Sequence, residues 1–169
     1  MTLKEKIQED LNLAIKNKRE IEVSTLRMLS AATLNKEKEK RYKISKEKPD
    51  FKEEDLQKES QLTDNEAIEV ISSEVKKRKE AIADYEKGGR QELADKEKKE
   101  KEILQKYLPE QFSEEEVKKL AKEAVEKTGA KEPKDMGKFM AELMPKIKGK
   151  ADGSLVSKVV KDLLIPKNE

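Results

Sequence analysis

Cysteine and histidine are absent from this chain of 169 residues. Without cysteine there is no disulfide, no thiolate metal site and no thiol nucleophile. Without histidine, imidazole acid–base chemistry is excluded as well. A cysteine count of zero also fits a reducing compartment. Only six glycines and five prolines occur, and β-branched runs are few, so the chain is expected to be all-α. Nowhere do 18 apolar residues run together, and no membrane span is expected. The opening MTLKEKIQEDLNLAIK carries acids from Glu5 onward and no continuous apolar stretch, so a signal peptide is not expected either. A soluble, cytoplasmic protein without contact to membrane is the expectation.

What is abundant is charge. Charged residues make up 45% of the chain against 34% hydrophobic, a balance that suits narrow apolar stripes on long helices. The net charge of +2 excludes a uniformly basic protein, so a nucleic-acid footprint has to be a local patch. Thr2 with Glu5, Thr63 with Glu66 and Ser113 with Glu116 each form an S/T-x-x-E capping box that predicts a helix start. After the first, Leu3, Ile7, Leu11, Ala14 and Ile15 share one helical face until Asn17-Lys18. A second helix is predicted over about 20–40, with Val23, Leu26, Leu29, Ala32 and Thr33 on one side and an all-charged end at Lys36–Arg41 that projects into solvent. Tyr42 to about Gln61 reads as a charged insertion, solvated or mobile, broken at Pro49-Asp50, with a short helix possible over 55–60.

Ile68, Ile71, Val75, Arg78, Ile82 and Tyr85 follow a 3-4-3-4-3 spacing, the seam of an antiparallel helical hairpin that turns at Gly88-Gly89. The returning helix, about 90–107, has a purely charged middle at Asp95–Glu102, read as a solvated face. Leu108-Pro109 closes a first domain of residues 1–110. Residues 111–169 then make a second domain, a bundle of three short helices. Its stripes are Val117, Leu120, Ala121, Ala124 and Val125, then Met136, Met140, Leu143 and Met144, then Leu155 to Leu164. Asp135 and Asp152 are expected to cap the second and third of these helices, with Pro145 and Gly149 ending the second. Between Pro145 and Leu164 five lysines (Lys146, Lys148, Lys150, Lys158 and Lys161) face only Asp152 and Asp162, an excess of three positive charges.

Met136-Gly137-Lys138, Met144-Pro145-Lys146, Gly149-Lys150-Ala151-Asp152-Gly153 and the helix Val156–Leu164 together resemble the GatB/YqeY tail domain, which closes the B subunit of the glutamine-dependent aminoacyl-tRNA amidotransferase. Leu26–Ala31, the basic residues Lys77 and Arg78 before Ile82, Gly89–Leu93 and Tyr107–Gln111 extend the resemblance to stand-alone YqeY-like proteins over essentially the whole chain. The chain departs from the family pattern in a longer Tyr42–Gln61 connection and a more charged Lys99–Glu102. The resemblance implies an N-terminal helical domain, a three-helix tail with Gly137, Gly149, Asp152 and Gly153 as structural motif, and tRNA as partner. It also brings the family label of carbon–nitrogen ligase with glutamine as amido-N-donor. The alternative is a helical interaction module whose hairpin, Asp64–Tyr107, docks on a synthetase or amidotransferase subunit.

Amide transfer from glutamine needs an activated nucleophile and an oxyanion hole. The serines lie in helices, caps or charged loops, and no G-x-x-x-x-G-K-[ST] phosphate cradle is present. No catalytic residue, metal ligand or cofactor is therefore expected in the isolated chain. Lysine-rich turns are usually just solvated, but Lys138, Lys146, Lys148, Lys150, Lys158 and Lys161 contrast with the balanced remainder and form the candidate RNA-binding set. No aromatic is interleaved with them, which favours contact with phosphate and folded shape over base stacking. Lys76, Lys77, Arg78 and Lys79 read as ordinary helix surface, and Arg90 as either a helix-start donor or an RNA contact.

Overall fold

The computed structural model describes residues 1–164. Among them every regular element is helical, and the chain divides into two compact units meeting at Tyr107 and Leu108. The first unit contains α1 (Leu3–Lys16), α2 (Glu20–Glu47), α3 (Glu53–Glu59), α4 (Asp64–Lys87) and α5 (Gln91–Gln105). The second contains α6 (Glu114–Thr128), a 3₁₀ turn (Pro133–Asp135), α7 (Met136–Ile147) and α8 (Gly153–Leu164). No described helix is long and apolar enough to cross a membrane.

All three capping boxes form. In each, the hydroxyl of Thr2, Thr63 or Ser113 accepts from the amide three residues on, and the glutamate there accepts from the cap's own amide at 2.7–2.8 Å. The stops are equally local. Lys18 takes a left-handed turn between α1 and α2, and Gly89 and Gly129 supply positive φ after α4 and α6.

In the first unit Ile7, Leu11 and Ala14 of α1, Leu26 and Leu29 of α2, and Ala67, Ile71, Val75 and Ile82 of α4 are buried. The seam spacing on α4 does what it predicts: α4 and α5 form the most extensive helix pair among the described residues. Tyr107 closes this unit by donating its hydroxyl to Asp10 on α1 at 2.7 Å. Burial first, and the Asp10 carboxylate second, push the Tyr107 phenol well above its ordinary value.

Three expectations about charge are corrected. Asp95–Glu102 is not a solvated face all round, since Glu100 is only 4% exposed. It meets Arg78, which is buried rather than helix surface, at 3.3 Å; Arg78 also binds Glu74 at 3.0 Å and lies against the Met28 sulfur. The end of the second helix does not project freely, because Glu37 is buried and holds the Lys4 ammonium at 2.6 Å together with the Leu62 amide. The Tyr42–Gln61 stretch is solvated at most positions, as expected, but it is largely helical rather than a loop. Six of its residues continue α2 to Glu47, the chain breaks before Pro49, and α3 buries Leu56 against α2. In each case a charged or sparse-looking segment is fixed by a partner distant in sequence.

The second unit has one core, with α6 packing against both α7 and α8. Val117, Ala121 and Ala124 meet Phe139, Leu143 and Ile147 of α7 and Val156, Val159, Val160 and Leu164 of α8. The inward ridge of α7 is thus Phe139-Leu143-Ile147, not the methionines. Met136 and Met140 pack at its edge and Met144 is 38% exposed. Pro145 does not end α7 but lies inside it, and the helix runs to Ile147. Asp135 does not cap α7 through its side chain. Its carboxylate turns back to the amides of Lys131 and Glu132, and these bonds hold it below the usual aspartate range.

Two outcomes are expected. Arg78→Ala leaves two buried carboxylates facing one another and should cost about 3–5 kcal/mol in chemical denaturation. Replacing Arg78, Glu74 and Glu100 together by Met and Leu should recover most of that loss. Glu66 is held below its ordinary value of 4.5, first by the Lys40 ammonium and then by the Thr63 amide. Its contribution is therefore complete above that value and lost as pH falls through the lower folded one. Glu66→Gln should melt earlier than the parent at pH 6, and the gap should close as the pH is lowered toward 3.

Candidate functional site

The turn between α7 and α8 is built from main-chain constraints. The amides of Lys148 and Lys150 donate to the carbonyls of Met144 and Ile147 at 2.9 Å, winding up the end of α7. Gly149 then takes φ +75°, a left-handed conformation that an L side chain adopts only at a cost of about 1–2 kcal/mol. Asp152 caps α8 as expected: its carboxylate accepts from the Ser154 amide at 2.8 Å and from the Ser154 hydroxyl. Gly137 and Gly153 have room for a methyl group, so neither is required by packing.

A second chain segment clasps this turn. Gln111 donates its side-chain amide to the carbonyls of Gly149 and Pro109, both at 2.8 Å, and the Phe112 amide donates to the Lys150 carbonyl at 2.7 Å. The Lys150 ammonium lies 5.5 Å from the centre of the Phe112 ring. Together these contacts hold the backbone that presents Lys148 and Lys150. Gln111 belongs to the Tyr107–Gln111 motif, but nothing in its local sequence announces a bond to a residue 38 positions away.

The six candidate lysines are all exposed but do not fall in one place. Lys146, Lys148 and Lys150 cluster at the turn. Lys158 and Lys161 lie i, i+3 on the outer side of α8. Lys138 sits in the first turn of α7, eight residues and about 12 Å of helix from Lys146, where it adds to the field of Lys134 around Asp135. Lys146 is 3.3 Å from the Glu142 carboxylate, which Lys127 also approaches at 2.8 Å. Lys158 is 3.3 Å from Glu114, which Lys118 approaches at 2.7 Å. Each acid is thus shared between two ammonium groups, and each cluster keeps one positive charge. The lysine pairs explain the low proton affinity of both acids, through Lys127 first for Glu142 and Lys118 first for Glu114. These two acids, the local counter-charges, are outside the sequence-derived set because the pairing depends on tertiary packing.

Five of the nine serine hydroxyls are occupied structurally. Ser30, Ser45 and Ser60 donate to main-chain carbonyls of their own helical turns, and Ser113 and Ser154 to the carboxylates in their caps. Arg90 makes no side-chain cap to α5 and is exposed. The arrangement is a surface of net positive charge, with its lysines supported on a constrained turn and two helices.

No curated protein matched the chain. The family model described as Yqey-like protein matches residues 36–164, from the distal part of α2 to the end of α8. With three quarters of its length covered, fold and motifs converge, and the chain belongs to the YqeY-like family.

Proposed function

We propose that this protein is a non-catalytic tRNA-binding accessory protein linked to glutamine-dependent aminoacyl-tRNA amidotransferase metabolism. The observation that carries the reading is the Gly149 turn. There Gln111 and Phe112 fix the backbone, and the nearby acids are outnumbered by the lysines they pair with. Ammonium groups on a rigid frame meet phosphates with little ordering cost, and folded RNA is read largely through backbone and shape. The family resemblance to the amidotransferase tail supplies the choice of tRNA among polyanions. In this reading the chain binds and positions, and carbon–nitrogen ligation from glutamine takes place on other subunits.

A second reading, a helical module docking on a synthetase or amidotransferase subunit, is favoured by one observation. A groove of about 650 Å³ runs between α2 and α4, with Met28, Ala31, Ala32 and Val70 among its lining residues. A pulldown that recovers a protein partner but no RNA would select it.

Filter binding of tRNA across a salt series separates the two readings. Neutralising about four phosphates should give a slope of log affinity against log salt of roughly −3 to −4. Lys148→Glu with Lys150→Glu should weaken binding while leaving the helical signal and melting temperature of the second unit in place. A tRNA affinity that is absent, or indifferent to salt, rejects the proposal. Unchanged affinity in the double variant removes the turn from it.

A further inference from the structure

The larger local excess of positive charge lies elsewhere, on the distal part of α2. Residues 36–48 hold seven cationic side chains against three carboxylates, an excess of four. The helix sorts them by face. On the packed side Glu37 is taken by Lys4, Lys40 binds Glu66 and the Gln61 carbonyl, and Arg41 binds Glu53. On the outward side Glu39 is taken by Lys36, while Lys38, Lys43, Lys46 and Lys48 form no ion pair among the described residues. One outward carboxylate, Glu47, stands against these four.

An aromatic ring sits among them. Tyr42 is 65% exposed, more than any other large apolar or aromatic side chain described except Met1. Lys38, Tyr42 and Lys46 are spaced i, i+4, i+8, so they form one ridge with a step of about 6 Å. The Lys46 ammonium lies 5.4 Å from the Tyr42 ring centre, and Lys48 lies 4.5 Å from that of the half-buried Phe51 just beyond the helix. Cations in the last turn of a helix are also favoured by its dipole, which accounts for Lys46 and Lys48. It does not account for Lys38 and Lys43 one to two turns earlier, nor for a tyrosine left bare between them.

We propose that this ridge is a contact for unpaired nucleotides, in which a base stacks on Tyr42 and the flanking phosphates meet Lys38, Lys43 and Lys46. An exposed ring within a row of ammonium groups is the combination that sequence-tolerant single-strand binding uses. A lipid surface would ask for a continuous apolar stripe, which this lysine-rich face lacks. The inference rests on the RNA reading above but concerns a different face and a different mode, stacking rather than shape.

The test uses the full chain and two fluorescent RNA probes, an oligouridine of about eight nucleotides and a duplex of equal length. The single strand should bind more tightly than the duplex. Tyr42→Ala should weaken single-strand binding by at least about fivefold, with Tyr42→Phe close to the parent. The salt slope should stay unchanged in Tyr42→Ala, because stacking releases no counterions. It should become shallower by about 1.4 in the Lys38→Ala, Lys43→Ala double variant. Tyr42 is exposed, so circular dichroism should show the helices intact in every variant. Equal affinity of Tyr42→Ala and parent overturns this inference and leaves tRNA binding by the second unit standing. Binding of neither tRNA nor oligouridine by the parent overturns both. Displacement of oligouridine by an equal concentration of polyglutamate overturns it in favour of an acidic protein surface.

Discussion

The first unit depends on one guanidinium turned inward. Arg78 occupies a seam position on α4 where an apolar residue would be expected, and it binds a carboxylate from its own helix and one from α5. Its Nε has no hydrogen-bond partner among the described residues, so the site is not optimised for hydrogen bonding. A buried ion pair of this kind seldom exceeds a well-packed apolar group in stability. What it adds is register. Along α5 the hairpin buries one alanine and one leucine, Ala94 and Leu104, on either side of a charged middle, so apolar contacts alone would leave α4 free to settle against α5 at neighbouring offsets. Only one offset brings Glu100 to Arg78, and the same offset sets Lys98 against Glu86 nearer the Gly88-Gly89 turn.

Charge does similar work wherever the apolar stripe is thin. Glu37 draws Lys4 of α1 and the Leu62 amide, just ahead of α4, toward α2, and Lys40 reaches the Thr63 capping box through Glu66. The distal α2 is thereby joined by charge to α1 and α4. In a chain that is 45% charged, part of the interior is made of charged side chains whose stems pack and whose heads are paired.

Where the sequence was informative and where it was silent follows the range of the interactions involved. Capping boxes, left-handed glycines, the break before Pro49 and the seam of α4 are decided within four residues, and each is visible as a local pattern. Glu37 and Glu100 are different. They sit in runs of alternating lysine and glutamate in which every position looks alike, and only partners 33 and 22 residues away distinguish them. The phase of α7 failed for a related reason. Four methionines and leucines and one phenylalanine admit two adjacent inward stripes, and the contact with α6 selects the one containing Phe139. In the second unit the Asp152 cap and the Gly149 turn were legible. The Gln111 clasp and the acids shared by lysine pairs were not, since each joins segments at least 15 residues apart.

The two lysine-rich surfaces therefore differ in kind, although their compositions look alike. At the α7–α8 turn the backbone is clasped from outside, and at least two of the lysines share acids with other lysines, so the surface is rigid and moderately positive. Such a surface suits a ligand with a fixed array of phosphates. On distal α2 the helix itself divides paired charges from unpaired ones and leaves an aromatic face open among the unpaired. Among the described residues that surface carries only Glu39, paired with Lys36, and Glu47 as counter-charges, and its ring can follow a strand whose bases are not already stacked. Folded RNA offers both kinds of target, duplex backbone and unpaired ends or loops, and a chain with one surface for each would need neither a deep pocket nor a reacting group to distinguish RNA from other polyanions.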